Sequence, residues 1–196
     1  MCICLTNVVR IYKGCVNAVT PKRKNTTLSL PSRQIMAQPI VIYTDGASRG
    51  NPGPGGYGAI LMAGDKRKEL SQGYRFTTNN RMELLSVIVA LETLKIPNSQ
   101  VTIFSDSKYV VDSVEKKWVF GWQKKGFTGK KNADLWMRFL RIYPKHKVAF
   151  RWVKGHADNP FNERCDELAV QAALGGDLLI DSGYENDPEV KNTLKF

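Results

Sequence analysis

The sequence has few residues of the kinds that build disulfide frameworks or zinc sites. It contains four cysteines, three of them within the first fifteen residues, and two histidines, His146 and His156. Their spacing fits neither a disulfide framework nor a Cys/His zinc site. Because sparse, unpaired cysteine is typical of proteins in a reducing compartment, we expect a cytoplasmic protein.

Long apolar runs are absent as well. No stretch of about 18 apolar residues occurs, so we expect no membrane span, and the apolar run at 2–5 is too short for a secretory signal. What the sequence has in excess is positive charge: 29 Lys and Arg against 18 Asp and Glu give a net charge of +11. That excess favours a polyanionic partner, although a merely soluble basic protein is compatible with it.

The first 37 residues contain six basic residues and no acidic residue. Such a segment is typical of a transit peptide, of a disordered arm that binds nucleic acid, or of translation from an upstream start site. We favour the last two interpretations, because Met36 lies directly before the first predicted strand. We therefore expect a basic, disordered extension at 1–37, a folded domain at 38–175 and a loose C-terminal tail at 176–196.

Hydrophobic patterns from residue 39 onward predict a mixed α/β domain. The predicted strands lie at 40–43, 57–62, 66–76, 101–104 and 148–153, and the predicted helices after the first lie at 107–117, 118–125, 133–142 and 162–174. The first helix begins near Asn80, which has the spacing of a capping box with Glu83. The order predicts one five-stranded mixed sheet, three antiparallel strands followed by two parallel ones, flanked by helices.

Four carboxylates are candidate catalytic residues. Asp45 and Asp106 come at the ends of predicted strands, Glu83 in the first turn of a helix, and Asp166 on the last helix. Each alone could be a turn residue, a helix cap or part of a solvated helix face. If the four converge, their mutual repulsion requires cations, and oxygen ligands without Cys or His suit Mg²⁺ or Mn²⁺ rather than zinc.

A basic segment at 108–131 contains seven lysines and two acidic residues. Its lysines alternate with aromatic residues, among which Trp118 and Trp122 share one helix face. We interpret the segment as a surface that binds phosphates and stacks on nucleic acid; the alternative is core tryptophans beneath a solvated lysine face. His156, in a polar loop, is either a proton shuttle or an ordinary surface histidine.

Several motifs, in this order along the chain, resemble those of ribonuclease H type 1, in its bacterial single-domain form. They are YTDG at 43–46, GNPG at 50–53, TTNNRMEL at 77–84, SDSKYV at 105–110, DLW at 134–136, WVKGH at 152–156 and NERCDELA at 162–169. The resemblance extends from about residue 39 to residue 175.

The resemblance implies an RNase H-like fold, in which the basic segment at 108–131 matches the basic protrusion of the family, and an endonuclease that hydrolyses the RNA strand of RNA–DNA hybrids. The products would have 5′-phosphate and 3′-hydroxyl ends. It also implies that Asp45, Glu83, Asp106 and Asp166 hold two Mg²⁺ ions, for which Mn²⁺ can substitute, while His156 assists proton movement or product release. No obligate protein partner is implied, and we expect a monomer.

The resemblance further implies a set of nucleic-acid contacts. Positions that contact the DNA strand match Asn51, Thr78 and Asn80, and positions near RNA 2′-hydroxyls match Gly46, Ser48, Asn79 and Glu83. The predicted set is completed by Lys108, Lys116, Lys117, Trp118, Trp122, Lys124, Lys125 and Asn162. Two departures stand out, because some relatives have cysteine in place of Ser48 and glutamine is common in place of Lys108.

Two other functions remain as alternatives. One is a different polynucleotidyl transferase of the same fold, such as an integrase-like or Holliday-junction nuclease, which usually lacks the basic protrusion and the TTNNRME run. The other is a non-catalytic module that only binds hybrids. Loss of an acidic ligand would favour the module, and all four are present here.

Overall fold

The computed structural model describes residues 38–155 and 159–193. Three predictions therefore concern residues outside these ranges. They are the N-terminal extension at 1–37, the proton-shuttling role of His156, and the last three residues of the C-terminal tail.

The described part of the chain alternates strands and helices. Its strands are β1 (Ile40–Ser48), β2 (Gly53–Ala63), β3 (Lys66–Thr77), β4 (Gln100–Ser105) and β5 (Lys147–Trp152). Its helices are α1 (Asn79–Glu92), α2 (Lys108–Glu115), α3 (Trp118–Lys124), α4 (Ala133–Ile142), α5 (Pro160–Leu174), α6 (Ser182–Glu185) and α7 (Pro188–Thr193), with a 3₁₀ turn at Tyr143–Lys145. Within the described ranges, none of these helices has the length and apolar composition needed to cross a bilayer.

The strands form one mixed sheet in the order β3-β2-β1-β4-β5. β1 pairs antiparallel with β2, and β2 pairs antiparallel with β3. β1 also pairs parallel with β4, which in turn pairs parallel with β5. This arrangement confirms the predicted fold class.

Helices cover both faces of the sheet. Because successive strand residues point to opposite faces, Ala59 and Leu61 of β2 join the core beneath α1, whereas Ile60 packs with Cys165 and Leu168 of α5. Any side chain on Gly58 of β2 would overlap the backbone of α5, and glycine here lets helix and sheet pack closely.

β1 is longer than predicted, and this changes where Asp45 lies. The prediction that Asp45 marks the end of the strand is wrong, because β1 continues to Ser48. Pairing with β4 nevertheless stops at Thr44, while pairing with β2 continues. Asp45 thus lies where β1 separates from β4, in a crevice of the kind that binds ligands in α/β sheets.

The start of α1 also differs from the prediction. β3 extends to Thr77, so Thr78 is the extended residue before the helix and Asn79 is the first helical residue. The predicted capping box between Asn80 and Glu83 is therefore wrong, and Glu83 lies beyond the first turn. Its side chain is free of a capping role.

The segment after Gly175 is not a loose tail where the structure describes it. Leu179 donates a backbone hydrogen bond to Gly73 (2.9 Å) and accepts one from Arg75 (2.9 Å). Asp181 is buried, and its carboxylate lies 2.7 Å from the guanidinium of Arg81. The segment is ordered because the buried Arg81 cation is stable only when carboxylates compensate its charge, and Asp181 of this segment is one of them.

Candidate active site

The structure brings all four predicted carboxylates to one cavity of about 340 Å³. They come from four separate places in the fold: β1, α1, the turn after β4, and α5. The cavity is lined by Asp45, Gly46, Ala47, Ser48, Asn79, Glu83, Asp106 and Asp166.

Gly46 makes the approach of α1 to β1 possible. A Cβ at this position would overlap the backbone of Met82 and Glu83, so a larger residue would push the helix away from the strand. The Gly46 N–H also donates to Asp45 Oδ1 at 2.7 Å. One glycine therefore both orients Asp45 and admits Glu83 beside it.

Glu83 is held at both carboxylate oxygens. Asn79 Nδ2 donates to Oε1 at 2.8 Å, and the Ser107 hydroxyl donates to Oε2. Ser107 is also the N-cap of α2, where its oxygen accepts from the Val110 N–H. Ser107 was not predicted as a site residue, although a serine directly before a helix is the ordinary signal for an N-cap.

Asp106 is surrounded by the end of β5 and the start of α5. Asn162 Nδ2 lies 3.4 Å from Asp106 Oδ2, and Trp152 Nε1 donates to the Asp106 carbonyl at 3.0 Å. Asn162 is buried, and its Oδ1 has no hydrogen-bond partner within the described residues. Trp152 was missed as a neighbour of the site, and Lys108 Nζ lies 5.0 Å from its ring centroid.

The cavity concentrates negative charge. Burial is the main reason why the pKa of Asp45 rises to about 8, and repulsion from Asp106, Asp166 and Glu83 raises it further, against the stabilising Gly46 N–H. Burial also raises the pKa of Glu83 to about 7, with Ser107 opposing the shift and Asp106 adding to it. No ion pair among the described residues involves any of the four carboxylates.

The donor chemistry of the cavity fits a hard divalent cation. Its four carboxylates offer oxygen donors only, and no lysine or arginine in the part of the chain that the structure describes forms an ion pair with them. Within residues 38–155 and 159–193, no three Asp, Glu, His or Cys side chains are arranged around a single point as a finished metal site. Glu83 and Asp106 are instead held by their own hydrogen-bond partners at the cavity wall.

A family model for RNase H matches residues 37–174. The chain belongs to the RNase H family. Ribonuclease H of Trichodesmium erythraeum is 54% identical over 151 residues, which cover 74% of this chain and 96% of the relative. Ribonuclease HI of Synechocystis is 50% identical over 151 residues, covering 74% of this chain and 94% of the relative. These similarities make the chain an RNase H endonuclease of the type 1 group.

Solved structures of RNase H proteins share the fold. LC9-RNase H1, described as a type 1 RNase H with the type 2 active-site motif, has a TM-score of 0.65 at 32% identity, covering 80% of this chain and 85% of its own. LC11-RNase H1, solved in complex with an RNA/DNA hybrid, has a TM-score of 0.50 at 28% identity, covering 69% of this chain and 96% of its own.

The predicted nucleic-acid residues of this RNase H fall into three places. Gly46, Ser48 and Asn79 line the carboxylate cavity, and the Ser48 hydroxyl is buried without a partner in the described part of the chain. Asn51, Thr78 and Asn80 instead line a second cavity, of about 990 Å³. The predicted lysines and tryptophans from 116 to 125 lie on α3 and at its ends.

The two tryptophans of the protrusion are not equivalent. Trp118 is 47% exposed, with Lys116 Nζ 5.0 Å from its ring centroid. Trp122 is half-buried and packs edge-on against Trp136 at a centroid distance of 5.9 Å. Trp122 thus contributes to the core, as the alternative interpretation has it, whereas Trp118 is presented to solvent; nucleic-acid binding by the segment stays a prediction.

Proposed function

We propose that this RNase H hydrolyses the RNA strand of RNA–DNA hybrids at the carboxylate cavity, leaving 5′-phosphate and 3′-hydroxyl ends, with Mg²⁺ as its cofactor. One observation carries the proposal: in a chain of this family, four carboxylates from four places in the fold line one cavity, and no cationic side chain in the described ranges is paired with them. The domain at 38–175 is the catalytic unit. The monomeric state and the cytoplasmic location stay predictions.

The four carboxylates would hold two Mg²⁺ ions, for which Mn²⁺ can substitute. When bound, the ions activate a water nucleophile and stabilise the charge that develops on the leaving oxygen. Since the pKa of Asp45 and of Glu83 is raised, cation binding is coupled to release of protons from these two groups.

The neighbours of the carboxylates restrict their orientation. Asn79 and Ser107 fix the Glu83 carboxylate from both sides, and Asn162 fixes Asp106. Such hydrogen-bond partners orient metal-binding carboxylates and tune their basicity. His156, four positions after the last residue of β5 in the sequence, is proposed to assist proton movement or product release.

Recognition of the RNA strand is proposed to depend on polar groups at the cavity. Ser48 and Asn79 line it beside the carboxylates, where a hydroxyl and an amide can contact the 2′-hydroxyl that distinguishes RNA from DNA. Lys108, at a position where glutamine is common in the family, adds a cation two positions after Asp106 in the chain. Its ammonium is held by the Trp152 ring at the end of β5.

The DNA strand is proposed to lie along the second cavity and the protrusion. Asn51 Oδ1 accepts a hydrogen bond from the Asn79 N–H at 3.3 Å. This bond directly links a residue proposed to contact the DNA strand with one proposed to contact the RNA strand. The exposed Trp118 and the lysines around α3 supply stacking and phosphate contacts outside the cavities.

Cleavage assays on matched duplexes test the proposal. A labelled RNA–DNA hybrid, a double-stranded DNA and a double-stranded RNA of the same sequence are incubated with the protein and Mg²⁺. We expect cleavage of the hybrid in its RNA strand alone, with products that a ligase requiring 5′-phosphate can join. Cleavage of double-stranded DNA would favour the other polynucleotidyl transferases, and hybrid binding without cleavage, unchanged in Asp45→Asn, would favour a binding module.

A further inference from the structure

The second cavity has a wall that comes from the C-terminal segment. The N-terminal end of α1 contributes Thr78 and Asn80, and the loop before α4 contributes Lys130 and Lys131. Residues of α6 and α7, and of the turn between them, complete the lining. The segment that the sequence predicts to be loose is thus part of the surface proposed to receive the DNA strand.

Ionic contacts anchor this wall to the body of the domain. Asp181, just before α6, pairs with the buried Arg81 at 2.7 Å, and Glu185 of α6 pairs with Arg75 of β3 at 2.7 Å. The Arg81–Asp181 pair is buried and therefore costly to break, because separation leaves a buried charge without a partner. The anchored α6 therefore holds the following α7 at the cavity.

The start of α7 is also ordered by its own hydrogen bonds. Asp187 Oδ1 accepts from the Glu189 N–H at 2.9 Å, and the Asp187 carbonyl accepts from the Lys191 N–H at 2.8 Å. Both acidic residues are exposed and both line the cavity. Their carboxylates are therefore available to act on a bound polyanion.

The wall changes the charge of the cavity. Its lining includes three cations and three carboxylates: Arg81, Lys130, Lys131, Asp134, Asp187 and Glu189. Arg81 is paired with Asp134 and with the buried Asp181, each at 2.7 Å, so the other charges of the lining are two lysines and the two acidic residues of the C-terminal segment. In a chain with a net charge of +11, this proposed phosphate-binding surface is neutral rather than basic.

We propose that Asp187 and Glu189 form an acidic wall that weakens the grip of the second cavity on the DNA-strand backbone. The inference rests on the proposed function and deepens it, since it names two residues that lower the affinity for the same hybrid substrate. Carboxylates beside a phosphate track repel it, which speeds dissociation and disfavours polyanions that contact only this cavity.

The test is the double variant Asp187→Asn/Glu189→Gln in the full chain. Asparagine keeps the oxygen that caps α7, so charge is removed without removing the hydrogen bond. The matched control is Asp65→Asn/Asp177→Asn, which removes two exposed carboxylates outside the cavity lining. Hybrid affinity is measured by fluorescence anisotropy in EDTA, where no hydrolysis is expected.

We expect the cavity variant to bind the hybrid about three- to tenfold more tightly at 50 mM salt, with the gain shrinking at higher salt, and the control to change by less than about twofold. The gain should vanish on a hybrid whose DNA strand has uncharged methylphosphonate linkages. Equal gains in both variants, no gain, or a gain that survives the neutral DNA strand would overturn the inference alone. A wild-type protein that fails to bind the hybrid would overturn the proposed function together with it.

Discussion

Asp45 has the least ordinary surroundings of any carboxylate described in the chain. It is 8% exposed, inside a strand, and faces three other carboxylates across one cavity. The pKa of its side chain rises from an ordinary value near 3.8 to about 8. A buried carboxylate among other carboxylates destabilises the folded state when it is ionised, unless a bound cation compensates its charge.

The first prediction concerns the stability of the metal-free protein. Because the folded pKa of Asp45 is raised, the folded state binds the proton more tightly than the unfolded state does, and stability is lost as pH rises from about 4 to about 8. Asp45→Asn removes this loss. We expect it to stabilise the metal-free protein at pH 8 by about 2 kcal/mol or more, roughly 4–8 °C in Tm, and by less at pH 5.

Thermal denaturation in EDTA measures this effect, with exposed Asp65→Asn as the control. The account also predicts that Mg²⁺ raises the Tm of the wild type more than that of the variant. An Asp45→Asn protein that is less stable than the wild type at pH 8 would show that its carboxylate supports the metal-free fold.

His146 gives a second prediction, at acid pH. Its ring is buried, and neither nitrogen has a partner within the described residues. Burial, with a contribution from Lys145, lowers the pKa of His146. Below the unfolded value near 6.5 the unfolded state therefore binds more protons, so stability is lost as pH falls.

Replacing the ring by His146→Phe should flatten the loss of stability between pH 7 and pH 5. Urea denaturation at several pH values measures it, and the slope of the unfolding free energy against pH is the quantity compared. A variant with the same slope as the wild type would assign the acid sensitivity to other groups.

At the scale of elements, the basic protrusion combines packing and charge. Lys116 is paired with Asp112 at 2.8 Å, so the phosphate contact proposed for Lys116 would replace an existing ion pair. Lys117 and Lys125 flank α3, and Lys124 is in its last turn. These side chains are exposed, as a phosphate-binding surface requires.

The third prediction is that replacing the four protrusion lysines, Lys116, Lys117, Lys124 and Lys125, by alanine flattens the salt dependence of hybrid binding. The log–log slope should fall by up to about 0.9 per lost contact. The control replaces four exposed lysines elsewhere: Lys66, Lys68, Lys95 and Lys147. A salt slope that changes equally in both variants, or in neither, would exclude a specific role for the protrusion.

The C-terminal segment gives the fourth prediction. Asp181 is buried in its pair with Arg81, whereas Glu185 pairs with a largely exposed Arg75. We expect Asp181→Ala to lower the free energy of unfolding by about 3–5 kcal/mol, and Glu185→Ala to lower it by about 1 kcal/mol or less. Urea denaturation measures both, and equal small losses would mean that the segment is loosely attached.

Local sequence patterns predicted most strands and helices. They failed where the conformation of a segment depends on a contact with residues far away in the sequence. Strand alternation and helical spacing located all five strands and the helices up to Leu174. The order of the C-terminal segment depends on Arg81, 100 positions earlier in the chain than Asp181, which no local pattern contains. The end of β1 was misplaced for a related reason, because pairing with β2 continues after pairing with β4 stops.

At the scale of the whole molecule, the fold gathers residues that are far apart in sequence. All four predicted carboxylates line the cavity. Residue type indicated them together with the positions of Asp106 after a strand and of Glu83 and Asp166 on helices, whereas Asp45 lies inside β1 and not at its predicted end. Ser107 and Trp152 were missed because their roles depend on contacts with Glu83 and Asp106 across elements. Sequence thus predicted the charged groups, and the structure adds the groups that orient them.

Positive and negative charges are concentrated in different parts of the molecule. Among the described residues of this chain of net charge +11, the four carboxylates of the cavity form no ion pair. In the proposed function the basic protrusion attracts the polyanion, and the carboxylates would require divalent cations before the scissile phosphate enters their cavity. The proposed function therefore predicts that hybrid affinity and cleavage depend on different residues and can be separated by mutation.

The most direct test of the central claim compares cleavage and binding in the wild type and in four single variants: Asp45→Asn, Glu83→Gln, Asp106→Asn and Asp166→Asn. Single-turnover cleavage of a labelled hybrid is measured across Mg²⁺ concentrations, and affinity is measured in EDTA. We predict that each variant keeps or improves its hybrid affinity but loses about a hundredfold or more in cleavage rate. Wild-type cleavage in EDTA, or an Asp45→Asn or Asp106→Asn protein that cleaves at the wild-type rate, would contradict the account.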